Sequence, residues 1–288
     1  MHHSANCKKI DSFGRIQDMK NLSEQKVTVF CDFSPGMNGI ILHGIFIAGF
    51  LRKELCLFSL TGKKGSNKAE LSDRLSEIAR TIKSKANHLV VSSLVLKGIL
   101  EEQAERLAYK YDSVILILNK EQLSEKLKAL RESTIPFLFV DGKTTDLISY
   151  KHVALPVDYR KEMKETSLWA SYLGRFNSAE VLVTSAREQN AENENKVKKN
   201  LLFIRKFLKK MQVQHVLQEG RSNSWKIQFE AMKNAQAGND DVLIILGSKH
   251  ITLIDLLIGL PEKKIIRKAG RLPVLCINPS KDMNILCD

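Results

Sequence analysis

The stretch Val27-Thr-Val-Phe-Cys-Asp-Phe-Ser, residues 27–34, carries the clearest fold signal, because it is an apolar run of strand-forming residues that ends in an aspartate. The stretch His152-Val-Ala-Leu-Pro-Val-Asp-Tyr, residues 152–159, ends in the same way. When Asp32 is aligned with Asp158, the following segments also match: a helical segment with small residues, and then a second apolar run. The chain therefore contains an internal repeat, and a repeat has to be recognised before any motif is interpreted.

Each half of the repeat contains five apolar runs. The runs are short and rich in Val, Ile and Leu without alternating polarity, and helical segments separate them, which is typical of parallel strands buried on both faces. They begin near residues 27, 55, 88, 114 and 136 in the first half and near 152, 181, 215, 242 and 273 in the second. We therefore predict an α/β fold with two tandem, five-stranded, parallel, doubly wound domains.

The same alignment predicts the domain boundaries. Residues 1–25 are polar and have no counterpart in the second half, so we expect an N-terminal arm that is either mobile or a lead-in helix. Residues 26–140 form the first predicted domain and residues 150–280 the second, with the turn-rich segment Asp141-Gly-Lys-Thr-Thr between them. A length of 288 residues fits two domains of ordinary size.

The charge and hydropathy of the chain indicate which kinds of partner it is expected to bind. The formal net charge is +13, but the lysines of segment 193–211 are spaced opposite its apolar residues, which indicates a solvated helix face and does not favour nucleic acid as a partner. No apolar run reaches the ~20 residues of a membrane span. The five cysteines are scattered without metal-binding spacing, and the N-terminus has no apolar signal core. These features predict a soluble, cytoplasmic protein with no membrane partner.

The motifs resemble the universal stress protein family, present twice in tandem. They are the strand that ends in Val-x-Asp, the helix with small residues, the Leu246-Gly-Ser after the fourth strand of the second half, and the closing Leu272-Pro-Val-Leu-Cys-Ile-Asn-Pro. The resemblance implies adenine nucleotide alpha hydrolase-like domains. It also implies that the last strands of the two halves pair as a pseudo-dimer inside one molecule, which protects both strand edges. A further homodimer is left open.

In family members that bind ATP, an aspartate approaches the adenine, and a glycine loop after the fourth strand wraps the ribose and phosphates. Glycine lets backbone N–H groups approach an anion closely, and a helix N-terminus adds a favourable dipole. The resemblance implies that ATP or another adenine nucleotide in the second domain would meet the positions that match this pattern. These positions are Asp158, Gly247, Ser248, His250 and Gly259.

The loop departs from the family pattern in both halves. In the second half, His250 stands at the second glycine position, Gly259 comes one residue early, and the Ser/Thr position is not matched. In the first half Asp32 is kept, but Asn119 replaces Gly247 in the alignment and no glycine follows before the next strand. We therefore expect no nucleotide in the first half and at most one degenerate site in the second.

Several interpretations stay open at this point. An aspartate after a strand also forms turns and caps helices without binding any ligand. No nucleophile elbow and no cluster of metal ligands is seen, so we predict neither catalytic nor metal-binding residues. The preferred function is a non-enzymatic binding or regulatory protein of the stress response, with unknown protein partners. The alternatives are an ATP-binding protein that acts as a slow ATPase or nucleotide switch, and a polyanion-binding module.

Overall fold

The computed structural model describes residues 8–10, 16–18, 25–62, 67–121, 123–143, 148–238, 240–248 and 260–279. The strands in these ranges are β1 Lys8–Ile10, β2 Ile16–Asp18, β3 Lys26–Phe30, β4 Glu54–Leu60, β5 Val91–Leu96, β6 Ser113–Asn119, β7 Phe137–Val140, β8 His152–Val157, β9 Glu180–Ser185, β10 His215–Glu219, β11 Val242–Leu246 and β12 Val274–Ile277. The helices are α1 Met37–Leu51, α2 Lys68–Lys85, α3 Leu100–Tyr109, α4 Leu123–Arg131, α5 Met163–Asn177, α6 Ala191–Lys210, α7 Ile227–Gly238 and α8 Pro261–Lys268.

The first two strands form a small sheet of their own. β1 and β2 pair antiparallel, with Lys8 opposite Asp18 and Ile10 opposite Ile16. The alternative of a lead-in helix is therefore wrong for these residues, because their backbone is extended and paired strand to strand.

The other ten strands form one sheet in the order β10-β9-β8-β11-β12-β7-β6-β3-β4-β5. In each half, the first strand of the repeat lies in the middle, with the second and third strands on one side and the fourth and fifth on the other. All pairs within a half are parallel. The predicted α/β fold of doubly wound, five-stranded halves is confirmed.

The two halves meet at β7 and β12, which pair antiparallel. Leu138 lies opposite Leu275, and Cys276 lies opposite Phe137. These strands are fully buried, so the apolar edge that each half would otherwise expose is covered by the other half. The intramolecular pairing predicted for the closing strands is confirmed by this register.

Helices cover both faces of the sheet. Residues of α1, α2, α5 and α6 share one apolar cluster with the sheet, and residues of α3, α4, α7 and α8 share a second cluster on the other face. The small residues of the repeat permit close packing: a Cβ at Gly44 would lie 2.2 Å from a methyl of Val29, and a Cβ at Gly174 would lie 2.4 Å from a methyl of Val213. α1 and α5 therefore approach their neighbours closely at these two glycines.

One strand starts later than predicted. The apolar run at residue 88 suggested a strand from there, but β5 begins at Val91. The reason is a turn after α2, in which the Leu89 N–H donates to the Ala86 carbonyl over 3.0 Å. Local apolarity cannot reveal such a turn, because Leu89 is buried as a strand residue would be.

Candidate functional site

The carboxyl ends of β8 and β11 border the crevice where the winding of the second half reverses. The two strands are neighbours, with Val153 opposite Val242, but the chain continues from them to opposite sides of the sheet. Open α/β sheets bind their ligands at such a switch point. Asp158 follows β8, and Gly247 and Ser248 follow β11, so the tertiary structure brings these three predicted residues to one crevice.

The carboxylate of Asp158 is held by Arg160. Asp158 is only 1% exposed. Its Oδ1 accepts the backbone N–H of Arg160 over 2.8 Å, which forms the tight turn after β8. Its Oδ2 accepts Nε of the same arginine over 2.9 Å and Nη2 over 2.5 Å. Both oxygens of the carboxylate are therefore bound inside the protein, and the turn-forming interpretation of this aspartate is confirmed.

The guanidinium of Arg160 also crosses the crevice to β11. Its Nη1 donates to the carbonyl of Gly247 over 2.9 Å, and its Nη2 lies 3.4 Å from the carbonyl of Leu246. Asn200 of α6 fixes the turn that carries it, donating to the carbonyls of Asp158 and Arg160 over 2.8 and 2.7 Å. The planar guanidinium thus bonds the Asp158 carboxylate after β8 with one edge and the Gly247 carbonyl after β11 with another.

A second internal contact occupies Ser248. Its Oγ donates to Oε2 of Glu262 over 2.8 Å, and its backbone N–H lies 3.3 Å from Oε1. Glu262 is 4% exposed and lies in the first turn of α8, immediately after Pro261. A helix N-terminus favours a negative charge. Here the chain itself supplies that charge.

His250 and Gly259, the remaining two predicted binding residues, lie outside the described residues. Their part in the candidate site stays a prediction. For the three predicted residues that are described, the donors and acceptors facing the crevice are paired with Arg160 and Glu262. In this arrangement the Asp158 carboxylate and the Ser248 hydroxyl are both engaged by side chains of the chain itself.

The first half has a comparable internal cation at its own crevice. Lys126 of α4 is 3% exposed, and its Nζ donates to the carbonyl of Asn119 at the end of β6 over 2.7 Å. Burial lowers the pKa of Lys126, an effect that the nearby carboxylate of Asp32 partly offsets. Asp32 again forms the turn after the first strand, accepting the Ser34 N–H over 3.0 Å.

The strand register corrects the alignment of the two loops. Asn119 pairs with Val140, and Leu246 pairs with Ile277 at the same level of the other half. Lys120, and not Asn119, therefore stands at the position of Gly247. Both backbone N–H groups confirm this, since each donates to the carbonyl of the last residue of its neighbouring strand. The sequence alignment missed it because two five-residue apolar runs match equally well in either register.

Sequence reasoning missed the three charged residues that fill the crevices: Arg160, Glu262 and Lys126. For Arg160 a signal was present, because it follows Asp158 by two residues and an aspartate turn directs that residue back over the carboxylate. For Glu262 and Lys126 the signal was weak, since an acid or lysine near a helix end is ordinary on a solvated surface.

Other groups singled out by the sequence lie away from the crevices. His43 of α1 is buried and bonds through Nδ1 to the hydroxyl of Tyr150 over 2.7 Å. Cys31 and Cys276 are fully buried, and burial raises the pKa of both thiols. None of the helices in the described ranges combines the length and apolarity needed to cross a membrane.

The fold of this chain is similar to those of solved universal stress proteins. A protein of unknown function from Pseudomonas aeruginosa PAO1 is 16% identical and aligns with a TM-score of 0.58 over 90% of this chain and 94% of its own. A candidate universal stress protein from Pseudomonas aeruginosa UCBPP-PA14 is 16% identical, with a TM-score of 0.57 over 88% and 92%. A universal stress protein from Archaeoglobus fulgidus is 12% identical, with a TM-score of 0.61 over 90% and 98%.

No family model matches the sequence, and no curated protein matches it. At 12 to 16% identity, the structural likeness concerns the fold. The chain therefore has the universal stress protein fold along about nine-tenths of its length, which confirms the resemblance drawn from the sequence at the level of architecture.

Proposed function

We propose that the protein is a non-enzymatic binding or regulatory protein of the universal stress protein type, in which charged side chains of the chain replace the nucleotide in the second half. The observation that carries this proposal is the Asp158–Arg160 contact, with both carboxylate oxygens bound to the arginine and the guanidinium bound onward to Gly247. The domain limits 26–140 and 150–280 remain part of this proposal.

Electrostatics supports the proposal. The carboxylate of Glu262 takes the Ser248 donors that would contact a phosphate, and a second negative charge at that place would be repelled. Arg160 occupies the Asp158 carboxylate, which the resemblance assigns to the adenine. In this network the Asp158 carboxylate is paired with Arg160, and the Glu262 carboxylate accepts the donors of Ser248.

Calorimetric titration of the full chain with ATP, ADP and AMP tests the proposal. The wild-type protein is expected to give no binding heat at millimolar nucleotide and to release no phosphate from ATP. Binding that disappears in Gly247→Trp would contradict the proposal and favour the alternative of a nucleotide switch or slow ATPase, since that indole would fill the space at the end of β11.

A double variant distinguishes a site from which internal charges exclude nucleotide from a site that has lost nucleotide recognition for another reason. Arg160→Ala combined with Glu262→Gln removes both internal charges and keeps the backbone of the crevice. If these charges exclude nucleotide, the double variant gains adenine nucleotide binding, and adding Gly247→Trp removes it again. If the double variant folds but binds no nucleotide, the charges of Arg160 and Glu262 are not the reason that the site lacks nucleotide binding.

A further inference from the structure

A broad groove lies on the sheet face that α7 covers. It runs between the end of β10 and α7 and has a volume of about 890 Å³. Its walls combine aromatic and basic side chains from three separate segments. These are Trp225 and Phe229 with Arg221, Lys226, Lys233 and Lys268.

Trp225 is the central feature of this groove. Its side chain is 73% exposed, whereas Trp169, the other tryptophan of the chain, is 2% exposed. With most of its surface in water, the indole of Trp225 contributes little to the packing of the fold. Trp225 therefore offers a flat apolar surface that the fold itself does not use.

The backbone around Trp225 is held in place. The preceding Ser224 donates its N–H to a carboxylate oxygen of Glu188 over 2.7 Å, and its Oγ accepts the N–H of Tyr159 over 3.2 Å. The following Lys226 donates its N–H to the carbonyl of Asn223 over 2.9 Å. The indole is thus presented from a fixed turn, which lowers the entropy cost of binding.

The charge of the groove is positive. Four basic side chains line it against two acidic ones, Glu219 and Glu230. The carboxylate of Glu230 is already bound by the backbone N–H groups of Arg221 and Ser222, over 2.9 and 2.7 Å. Glu219 lies 3.8 Å from Nε of Arg187. The cations of the groove therefore outnumber the negative charges that could neutralise them.

We infer that this groove binds single-stranded nucleic acid, with a base stacked on Trp225 and phosphates near the surrounding cations. Proteins that bind single strands combine a basic groove with aromatic side chains on which bases stack. A duplex hides the faces of its bases and would leave the indole unused. An acidic peptide would bind the cations, but its acidic residues carry no planar ring that could stack on the indole.

This inference goes beyond the proposed function and reverses one sequence expectation. The lysine-rich helix α6 carries its charges on a solvated face, and that pattern did not favour nucleic acid. The cations of the groove come instead from the loop after β10, from α7 and from the end of α8. Arg221 and Lys226 are near Trp225 in the sequence, and folding adds Lys268 to them.

Fluorescence anisotropy with labelled single-stranded oligonucleotides of about 12 nucleotides tests the inference on the full chain. Saturable binding is expected at low salt, together with quenching of the exposed tryptophan. Trp225→Ala should weaken binding about 10-fold. Tyr109→Ala is the matched control, because this aromatic residue is also exposed, at 57%, but lies on α3 in the other half.

A charge-matched pair of variants tests the cations. Lys226→Gln with Lys233→Gln should weaken binding and reduce the slope of log K against log salt by about 1.4, since each of the two lost phosphate contacts removes about 0.7. Lys83→Gln with Lys85→Gln changes the net charge equally but lies on α2, on the opposite face of the sheet, and should leave the slope unchanged.

Four results would overturn the inference. They are no salt-sensitive binding of single strands, equal losses in the groove and control variants, duplexes of the same length binding as tightly as single strands, and polyglutamate displacing the oligonucleotide at equal charge concentration. The last result would assign the groove to acidic polypeptides.

Discussion

Nη2 of Arg160 lies 2.5 Å from Oδ2 of Asp158, a carboxylate with 1% of its surface exposed. In the first half, the ammonium of Lys126 bonds the carbonyl at the end of β6, as Arg160 does at the end of β11. Each half therefore places one of its own cations at the strand end where the fold has its ligand crevice. The cation comes from the loop after the first strand in one half and from the fourth helix in the other.

Removing the Arg160 side chain should destabilise the protein. Arg160→Ala leaves a buried carboxylate without its cation, and breaking such a pair costs about 3 kcal/mol; the partly exposed guanidinium places the expected loss nearer 2 kcal/mol. Urea unfolding measures it. The variant that combines Arg160→Ala with Asp158→Asn should recover part of the loss, because it removes the orphaned charge. A single-variant cost below about 0.5 kcal/mol would mean that the pair is not a buried contact in solution.

Stability should fall in mild acid because of His43. Burial lowers the pKa of this histidine to about 4. The unfolded chain, with a pKa near ~6.5, binds the proton first, so stability is fully present above that value and is lost as the pH falls toward 4. Between pH 7 and 4.5 the expected loss is about 2 kcal/mol.

Urea unfolding of His43→Gln at the two pH values checks this assignment. The variant should lack the acid-sensitive part of the wild-type loss, because glutamine carries no titrating ring. His88→Gln is the control, since His88 is exposed. An equal pH dependence in wild type and His43→Gln would assign the acid sensitivity to other groups.

The seam between the halves should contribute strongly to stability. Leu275 is 2% exposed and faces Leu138 across the antiparallel pair. Leu275→Ala removes buried contacts and leaves a cavity, so we expect a loss of about 3 kcal/mol in the free energy of unfolding. Leu42→Ala truncates a leucine that is 46% exposed and should cost much less. Similar costs for both variants would indicate that the seam is open in solution.

Two glycines of α1 should respond in opposite directions to alanine. A Cβ at Gly39 would lie 2.2 Å from the carbonyl oxygen of Gly142, which follows β7, whereas a Cβ at Gly49 meets nothing within 4 Å. Gly39→Ala should therefore destabilise by about 2 kcal/mol through overpacking. Gly49→Ala should stabilise by about 0.5 kcal/mol, because alanine favours the helix. Thermal and urea unfolding of both variants measure the contrast, and a neutral Gly39→Ala would mean that the segment after β7 does not pack on α1.

The sequence by itself determined the duplication and the class of fold, whereas the pairing of the closing strands was implied by the resemblance to universal stress proteins. The duplication and the class of fold follow from local sequence patterns: apolar runs without alternation, small residues at one helix position, and an aspartate after each first strand. The resemblance also located the crevice, because strand order places Asp158 and Gly247 at neighbouring strand ends.

Only the tertiary structure decided what occupies that crevice and where the cations gather. Arg160 and Glu262 are ordinary charged residues in sequence, and their role arises because β8, β11 and α8 converge and exclude water, so that each charge must find a partner. The register that aligns Lys120 with Gly247 was set by hydrogen bonds between strands, which two equally apolar runs cannot distinguish. The groove at Trp225 is formed mostly by residues 218–234, and folding adds Lys268 of α8 to its wall.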